Sequence, residues 1–420
     1  MVGARLWRGV GLGLGIVFLL GCSLFSGTPP AAEVPVVTVA VTDAPTVAPP
    51  TTQPAASPTP QMCPDPSNVA PPQRLSDDLE GTESFIAAVQ DYLTQGGDAE
   101  RVPLAEQEAL RQADLTGDGG LETVYVMMAA SPDQVFGEGL LIVFSCRAGE
   151  VIPLYRYAAG ESNGLELIAL EDLTQDEVAD LVFSQYTCGA HTCWHTPNVW
   201  SWAGRDFADR MGSAFQYPYP TYTLEAGSLV VVSAGQGSVG AGPQRLTTTT
   251  LGWSGTAITV TDESVAPPTY RYHAFLDGDR ALSAGDLASA EAAYRSVIEN
   301  DALESWGGFG DLEDERLWLE ALGWWRLMIL DASVGRADDM ETAYAMIAGL
   351  DSPAPGYPVR ALAERFQRSF QRDGDLPAAC AYAVDTTGSE QVLGFLNGFG
   401  YANPYYEVPD LCPSYAYPYE

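Results

Sequence analysis

The spacing of apolar residues changes from strand-like to helical at Pro267-Pro268, and this change constrains the fold more than any other feature of the sequence. Before it, from Leu121 to Thr261, short runs of β-branched and aromatic residues alternate with turn residues, which is typical of β-strands. After it, from Tyr270 onward, apolar residues recur at helical spacing. We therefore predict an α+β multidomain protein, with a β-rich domain over residues 76–268 followed by an all-α helical-repeat domain over residues 269–420.

A predicted helix precedes the β-type runs. Thr82 caps it, apolar residues from Phe85 to Leu93 recur at helical spacing, and Gly96-Gly97 end it. The region that follows is long enough for about three four-stranded units, whereas a closed β-propeller has about four to eight. The β-rich domain is therefore predicted to be propeller-like or an open sheet, and not a complete propeller.

Two acidic loops lie within the β-type runs, at residues 114–122 and 172–180. Each places oxygen-bearing side chains at its first, third, fifth and ninth positions, and Ca²⁺ binds about six to eight oxygens. Both loops resemble the DxNGDGxxD loops of FG-GAP and VCBS repeats, in which an acidic loop precedes a strand. The resemblance implies that calcium is a cofactor, bound by Asp114, Thr116, Asp118 and Glu122 in the first loop and by Asp172, Thr174, Asp176 and Asp180 in the second.

Both loops depart from that pattern. Threonine occupies the third position, where the family has asparagine or aspartate, and Glu177 replaces the turn glycine of the second loop. The alternative interpretation is that both loops are solvated acidic turns that only connect strands.

The first helical pair after Pro268 resembles a tetratricopeptide repeat over about 34 residues. Small residues and one tyrosine carry the resemblance, namely Ala274, Gly278, Ala281, Ala290, Tyr294 and Val297 around the turn Gly285-Asp286. The sequence departs from the repeat where Ala274, Asp277, Ala281 and Ala302 replace its tryptophan, leucine, tyrosine and proline. Residues 317–330 with 340–350, and 359–370 with 376–384, predict two further helical pairs. Stacked pairs of this kind form concave surfaces that bind peptides.

The aromatic residues of the predicted helical domain have two interpretations. Trp306, Trp318, Trp324 and Trp325 either line a binding groove or belong to the core, and we favour the core. The tyrosines of segment 217–222 and of the tail 401–419 either stack on sugars or pack over the surface of the domain, with Cys412 holding the tail. We favour packing for these as well.

The N-terminus is predicted to be an export signal. Arg5 and Arg8 precede the apolar run Gly9 to Leu20, which is too short for a stable membrane span. The run ends at Cys22 in a motif that resembles the lipobox of bacterial lipoproteins, although Leu20 is less usual there than a small residue. The resemblance implies a signal peptide over residues 1–21, lipidation of Cys22, and a membrane-anchored protein of the bacterial cell envelope that faces outside the cytoplasm. A plain signal peptide or an uncleaved anchor is the alternative.

Residues 22–75 are rich in proline, threonine and alanine and carry few charges. Such a composition buries too little apolar surface to offset the entropy of ordering, so we predict a disordered tether. The folded part would then stand away from the membrane surface.

The six remaining cysteines allow up to three disulfides in an oxidising compartment. Proximity in the sequence favours Cys188 with Cys193 and Cys380 with Cys412, which leaves Cys63 with Cys146. The alternative for the first of these pairs is a zinc site formed by Cys188, His191, Cys193 and His195, but the spacing matches no common zinc pattern.

Charge and motifs exclude several classes of function. The formal net charge is -35, and all 20 basic residues are arginine. Without lysine there is no P-loop and no Schiff-base enzyme, and a strongly acidic surface repels nucleic acid. Gly235 to Gly240 matches GxGxxG, but no helix follows, so we interpret it as a hairpin connection. Only three histidines are present, without a GxSxG or HExxH motif.

These observations favour a membrane-tethered extracytoplasmic lipoprotein that acts as a non-catalytic binding or scaffolding module for protein or glycan. The first alternative is a carbohydrate-active hydrolase of the cell envelope that uses paired carboxylates. The second is a structural surface spacer without a partner.

Overall fold

The computed structural model describes residues 69–73, 79–105, 108–129, 138–160, 163–308 and 310–413. The predicted signal peptide, Cys22 and most of the predicted tether lie outside these ranges. Within them, helix α1 (Leu79–Thr94) and thirteen strands come before seven further helices. The predicted order, in which a β-rich region is followed by a helical region, is confirmed.

Three antiparallel sheets follow one another along the chain, and none of them closes on itself. The first contains β1 (Ala109–Ala113), β2 (Glu122–Ala129), β3 (Glu138–Arg147) and β4 (Glu150–Ala158). The second contains β5 (Asn163–Glu171), β6 (Asp180–Cys188), β7 (Cys193–Trp202) and β8 (Phe207–Asp209), with β9 (Tyr217–Pro218) paired to β7. The third contains β10 (Pro220–Glu225), β11 (Ser228–Ser233), β12 (Thr247–Trp253) and β13 (Ile258–Val265). Within each sheet, strands that are adjacent in sequence pair in space, except that β9 pairs with β7 and not with β8, so the sheets are built as meanders.

The sheets stack face to face because successive side chains of a strand point to opposite sides. On β2, Tyr125 and Met127 pack with α1, whereas Val126 packs with the second sheet. On β6, Phe183 packs with the first sheet and Val182 with the third. The core of the β-rich region is therefore a series of apolar layers, one between each pair of neighbours from α1 to the third sheet.

The series of layers ends at the face of the third sheet that points away from the second sheet. Thr223, Val230, Thr250 and Asp262 lie side by side in one row of that face. Three of these four side chains are polar, and only the central Val230 is buried. Polar side chains can stay exposed to water, so no further layer has to cover this face of the third sheet.

Seven helices form the C-terminal part of the described chain. They are α2 (Arg271–Ser283), α3 (Leu287–Glu299), α4 (Leu312–Ser333), α5 (Ala337–Ala348), α6 (Tyr357–Asp373), α7 (Leu376–Val384) and α8 (Thr387–Leu396). The two later predicted pairs correspond to α4 with α5 and to α6 with α7. Aspartate side chains accept backbone N–H groups at the starts of α3, α4 and α7. In the described part of the chain, no helix is both long and apolar enough to cross a membrane.

Small residues allow the first two of these helices to approach closely. A Cβ added at Gly278 of α2 would lie 2.4 Å from the ring of Tyr294 of α3. The tryptophans belong to the core, as expected: Trp325 is 1% exposed, and Trp306, Trp318 and Trp324 are partly buried against the same core. The aromatic-groove interpretation is therefore wrong for the fully buried Trp325.

Asp279 of α2 joins four parts of the helical region. Its carboxylate accepts hydrogen bonds from Arg326 of α4 (Nε 2.9 Å, Nη2 3.1 Å), from the Tyr294 hydroxyl (2.6 Å) and from the Tyr406 hydroxyl (3.0 Å). Arg326 also donates from Nη1 to the Leu411 carbonyl at 2.9 Å, which ties down the C-terminal segment. Burial and the charge of Asp279 raise the pKa of Tyr406. We call Asp279, Tyr294, Arg326 and Tyr406 the Asp279 cluster.

Replacing Arg326 with methionine is expected to lower the free energy of unfolding by about 3–5 kcal/mol, because one partner of a buried ion pair is then left without the other. The Arg326 side chain is 2% exposed and that of Asp279 is 19% exposed, so water replaces the lost contact poorly. Urea unfolding followed by circular dichroism measures the change. Arg372→Met is the matched control, since Arg372 pairs with Asp373 at the surface and its loss should change little. Equal effects of the two substitutions would contradict this role of the Asp279 cluster.

Candidate functional site

The two acidic loops fold in closely similar ways. Asp114 accepts the backbone N–H groups of Gly117 (2.7 Å) and Gly119 (2.8 Å). Asp172 accepts that of Glu177 (2.8 Å), which occupies the position equivalent to Gly119. Each first aspartate therefore closes its own loop, and each loop leads into the second strand of its sheet.

The last carboxylate of each loop is buried at the start of that strand. Glu122 accepts hydrogen bonds from the Leu115 N–H (3.0 Å) and from the hydroxyl of Ser145 on β3 (2.9 Å). Asp180 likewise accepts the N–H groups of its own loop and the hydroxyl of Ser201 on β7. Burial is the main cause that raises the pKa of Glu122 and of Asp180. Each buried carboxylate therefore holds its loop to the strands of the same sheet.

The structure thus brings the four predicted ligand residues of each loop into one turn. Thr116 and Thr174 point their hydroxyls toward the last carboxylate of their own loops, at 3.5 and 3.3 Å. Asp118 and Asp176 each accept the backbone N–H two residues ahead, at 2.8 and 3.0 Å. Within the described ranges, no group of three or more His, Cys, Asp or Glu residues is arranged to hold a metal ion. Calcium at either loop stays a prediction.

The second loop keeps this conformation without glycine. Gly117 and Gly119 have φ values of 71° and 83°, and the equivalent Gln175 and Glu177 have φ values of 61° and 68°. Side chains with a Cβ are strained in this left-handed region. The departure from the glycine pattern therefore costs stability and does not change the shape of the loop.

Both disulfides that proximity favours are present. Cys188 and Cys193 join β6 to β7 across their hairpin, with 3.9 Å between Cα atoms, and Cys380 of α7 joins Cys412. The zinc alternative is wrong because the disulfide uses both thiols of the proposed site. Cys63 lies outside the described residues, so its pairing with Cys146 stays a prediction.

A polar cluster that sequence reasoning missed lies between the second and third sheets. Ser184 Oγ lies 3.4 Å from His195 Nδ1 and 3.0 Å from the Tyr222 hydroxyl, and Glu166 Oε2 lies 3.8 Å from the same Nδ1. A hydrolytic relay needs the nucleophile and the acid at opposite ring nitrogens, whereas both face Nδ1 here. The ring also stacks on Tyr186, and burial lowers the pKa of His195. This cluster satisfies polar groups between two sheets and does not have the geometry of a relay.

The GxGxxG segment connects β11 to β12, as predicted, and also contacts the C-terminal segment. Tyr401 donates its N–H to the Gly240 carbonyl and Ala402 donates to the Ala241 carbonyl, both at 3.1 Å. Gly242 has φ 89°, and a Cβ there would lie 1.6 Å from the Phe399 carbonyl oxygen. Glycine at position 242 therefore allows this segment to approach the backbone of Phe399 closely.

An ion pair supports the same contact. Arg245 binds Asp277 of α2 through two hydrogen bonds, of 2.8 and 2.5 Å, and its side chain is 7% exposed. We use the term junction for the contacts that residues 235–245 make with α2 and with residues 399–403. The junction joins the β-rich region to the helical region.

A cleft of about 1750 Å³ lies beside the junction. Its walls are the third sheet on one side and α2, α7 and the C-terminal segment on the other. Prolines, tyrosines and aliphatic side chains form much of the lining, with Tyr217, Val265, Leu276, Pro377, Tyr405 and Val408 among them. Three arginines and three acidic residues also line it, so the cleft carries no net formal charge in a chain of net charge -35.

The tyrosines of the C-terminal segment differ in exposure, and stacking of the exposed ones on sugars stays a prediction. Tyr406 is 6% exposed and belongs to the core, whereas Tyr405 is 78% exposed and lines the cleft. Tyr401 is 61% exposed. The tyrosines beyond Pro413 lie outside the described residues.

Comparison with protein-family models gives no match for this chain, and comparison with curated protein sequences gives none either.

Glu177→Gly is expected to raise the free energy of unfolding by about 1 kcal/mol, because glycine adopts a left-handed φ without steric strain. Urea unfolding measures the change. The matched control is Glu177→Ala, which removes the same charge but keeps a Cβ at φ 68°. If the alanine variant gains as much stability as the glycine variant, charge and not backbone strain is the cause, and the prediction is wrong.

Proposed function

We propose that this protein is an extracytoplasmic lipoprotein whose folded part is a non-catalytic binding module, and that the cleft beside the junction holds a segment of protein or glycan. The volume of the cleft, about 1750 Å³, is the observation that carries the proposal. Pockets for small molecules have volumes of about 300–1,000 Å³. A larger open cleft suits a stretch of an extended polymer better than one small ligand.

The chemistry of the lining supports the same choice. Tyr405 presents an exposed ring with a polar hydroxyl, and such rings contact both the apolar faces of sugars and proline-rich peptides. Each arginine of the cleft is paired, Arg245 and Arg280 with Asp277 and Arg326 with Asp279, and the acidic lining residues Glu263, Asp279 and Asp410 balance the three arginines in number. A neutral polymer therefore meets no net charge there, while the acidic remainder of the surface repels polyanions such as nucleic acid.

Repeated units also form part of the proposal. The loops at residues 114–122 and 172–180 have matching internal hydrogen bonds and occupy the same place in successive sheets, which supports a repeated FG-GAP-like or VCBS-like unit in a propeller-like stack. The close packing of Tyr294 on Gly278 supports a tetratricopeptide-like pair. Such units provide rigid walls for a cleft.

Anchoring at the cell envelope rests on Cys22 and on the apolar run before it. Cys22→Ser should abolish incorporation of a labelled fatty acid and move the protein from the membrane fraction to the soluble fraction, because a lipid chain contributes about 0.8 kcal/mol of membrane affinity per buried methylene. Cys63→Ser is the matched control and should stay in the membrane fraction. Retention of the Cys22→Ser chain in the membrane fraction would contradict lipid anchoring.

Binding in the cleft is tested with Tyr405→Ala. The purified full chain is screened against an array of proline- and tyrosine-containing peptides and a panel of neutral glycans, and calorimetry gives the dissociation constant of the best probe. Loss of one stacked ring should weaken binding about five- to tenfold.

Tyr401→Ala is the matched control, since Tyr401 is similarly exposed but does not line the cleft. Equal losses in both variants would place the binding site elsewhere. If no probe is retained by the native chain, the surface-spacer alternative replaces the binding proposal.

A further inference from the structure

His273 lies in the first turn of α2, at the junction. It is 2% exposed, and its ring packs edge to face against Tyr270, with 5.3 Å between ring centroids. Within the described residues, neither ring nitrogen has a hydrogen-bond partner at normal geometry. The imidazole is thus held by packing, and a charge on it would be poorly solvated in the closed junction.

The charged groups that act on His273 come from both sides of the junction. Arg245 belongs to the loop before β12, and Asp277 lies one turn further along α2. These two residues form the ion pair described above, and Asp277 also binds Arg280 at 3.1 Å, so its carboxylate already serves two arginines. On the β side the backbone of Pro243 slightly favours the charged ring, without a hydrogen bond of normal geometry. A positive charge on the His273 ring would be repelled by Arg245. The carboxylate of Asp277 is already paired with Arg245 and Arg280.

We propose that His273 is a pH-sensitive element of the junction, and that protonation of its ring favours an open state in which the β-rich and helical regions lose their contact. The cleft has one wall in each region, so the same opening would release a segment bound there; that last step alone rests on the proposed function. The opening itself is a local event that leaves each region folded.

The direction of the pH effect follows from proton binding. Burial, and secondly the charge of Arg245, lower the pKa of His273 in the closed state, against weaker opposing effects of Pro243 and Asp277. In the open state the ring meets water, where the pKa of histidine is about 6.5. The open state therefore binds more protons, and closure weakens as the pH falls through the interval below about 6.5, by up to about tenfold per pH unit.

Hydrogen exchange at the junction tests this proposal. The amides of Tyr401 and Ala402 donate across the junction, so their protection reports its closure. In the native full chain, their protection relative to intrinsic exchange should fall about fivefold between pH 6.5 and 5.5. Amides of β3, in the centre of the first sheet, serve as an internal reference and should keep their protection.

Two variants separate His273 from other titrating groups. His273→Phe keeps an aromatic ring in an apolar environment, and should make the protection of Tyr401 and Ala402 independent of pH over this interval. His191→Phe changes the exposed histidine of the β6–β7 turn, and should behave as the native chain does.

Equal pH dependence in the native chain and in His273→Phe would overturn the proposal. If that variant fails to fold, NMR titration of the His273 ring in the native chain still decides: a midpoint well below 6.5 is expected, and a midpoint at or above that value would contradict the proposal.

Discussion

The buried ion pair between Asp279 and Arg326 is the interaction on which the helical region depends. It joins α2 to α4 directly, and through Tyr294 and Leu411 it fixes α3 and the C-terminal segment. That segment in turn supplies one side of the junction and one wall of the cleft. A buried ion pair contributes less to net stability than to the choice of one arrangement, because any misplacement leaves a charge unpaired. The geometry of the cleft therefore depends on the carboxylate of Asp279.

The β-rich region is held together in a different way. Its layers depend on the alternation of side chains along each strand, so that Val182 and Phe183, although adjacent, belong to different layers. Carboxylates at the starts of β2 and β6 then fix the loops between strands, with hydroxyl donors from the third strand of the same sheet. Apolar packing sets the layers, and buried acids set the loops that connect them.

Local patterns were sufficient to predict the features that are local. The change from strand to helix near Pro267, the helical pairs, and the two disulfides all follow from residue spacing within short segments. The Asp279 cluster did not follow, because Tyr406 lies 127 residues from Asp279. The close backbone contact at Gly242 did not follow either, since glycine indicates conformational freedom but not which backbone approaches it. At Gln175 and Glu177, the surrounding contacts of the loop outweigh the backbone preference of the residues.

The polar outer face of the third sheet has a consequence for how such a chain can evolve. Helix α1 covers the first sheet with apolar side chains, whereas Thr223 and Thr250 present hydroxyls at the opposite end. The number of sheets is thus set by the side chains at the two ends and not by closure of a ring. Insertion of a duplicated sheet between the second and third would preserve both ends, whereas addition after β13 would require the threonine face to become apolar first.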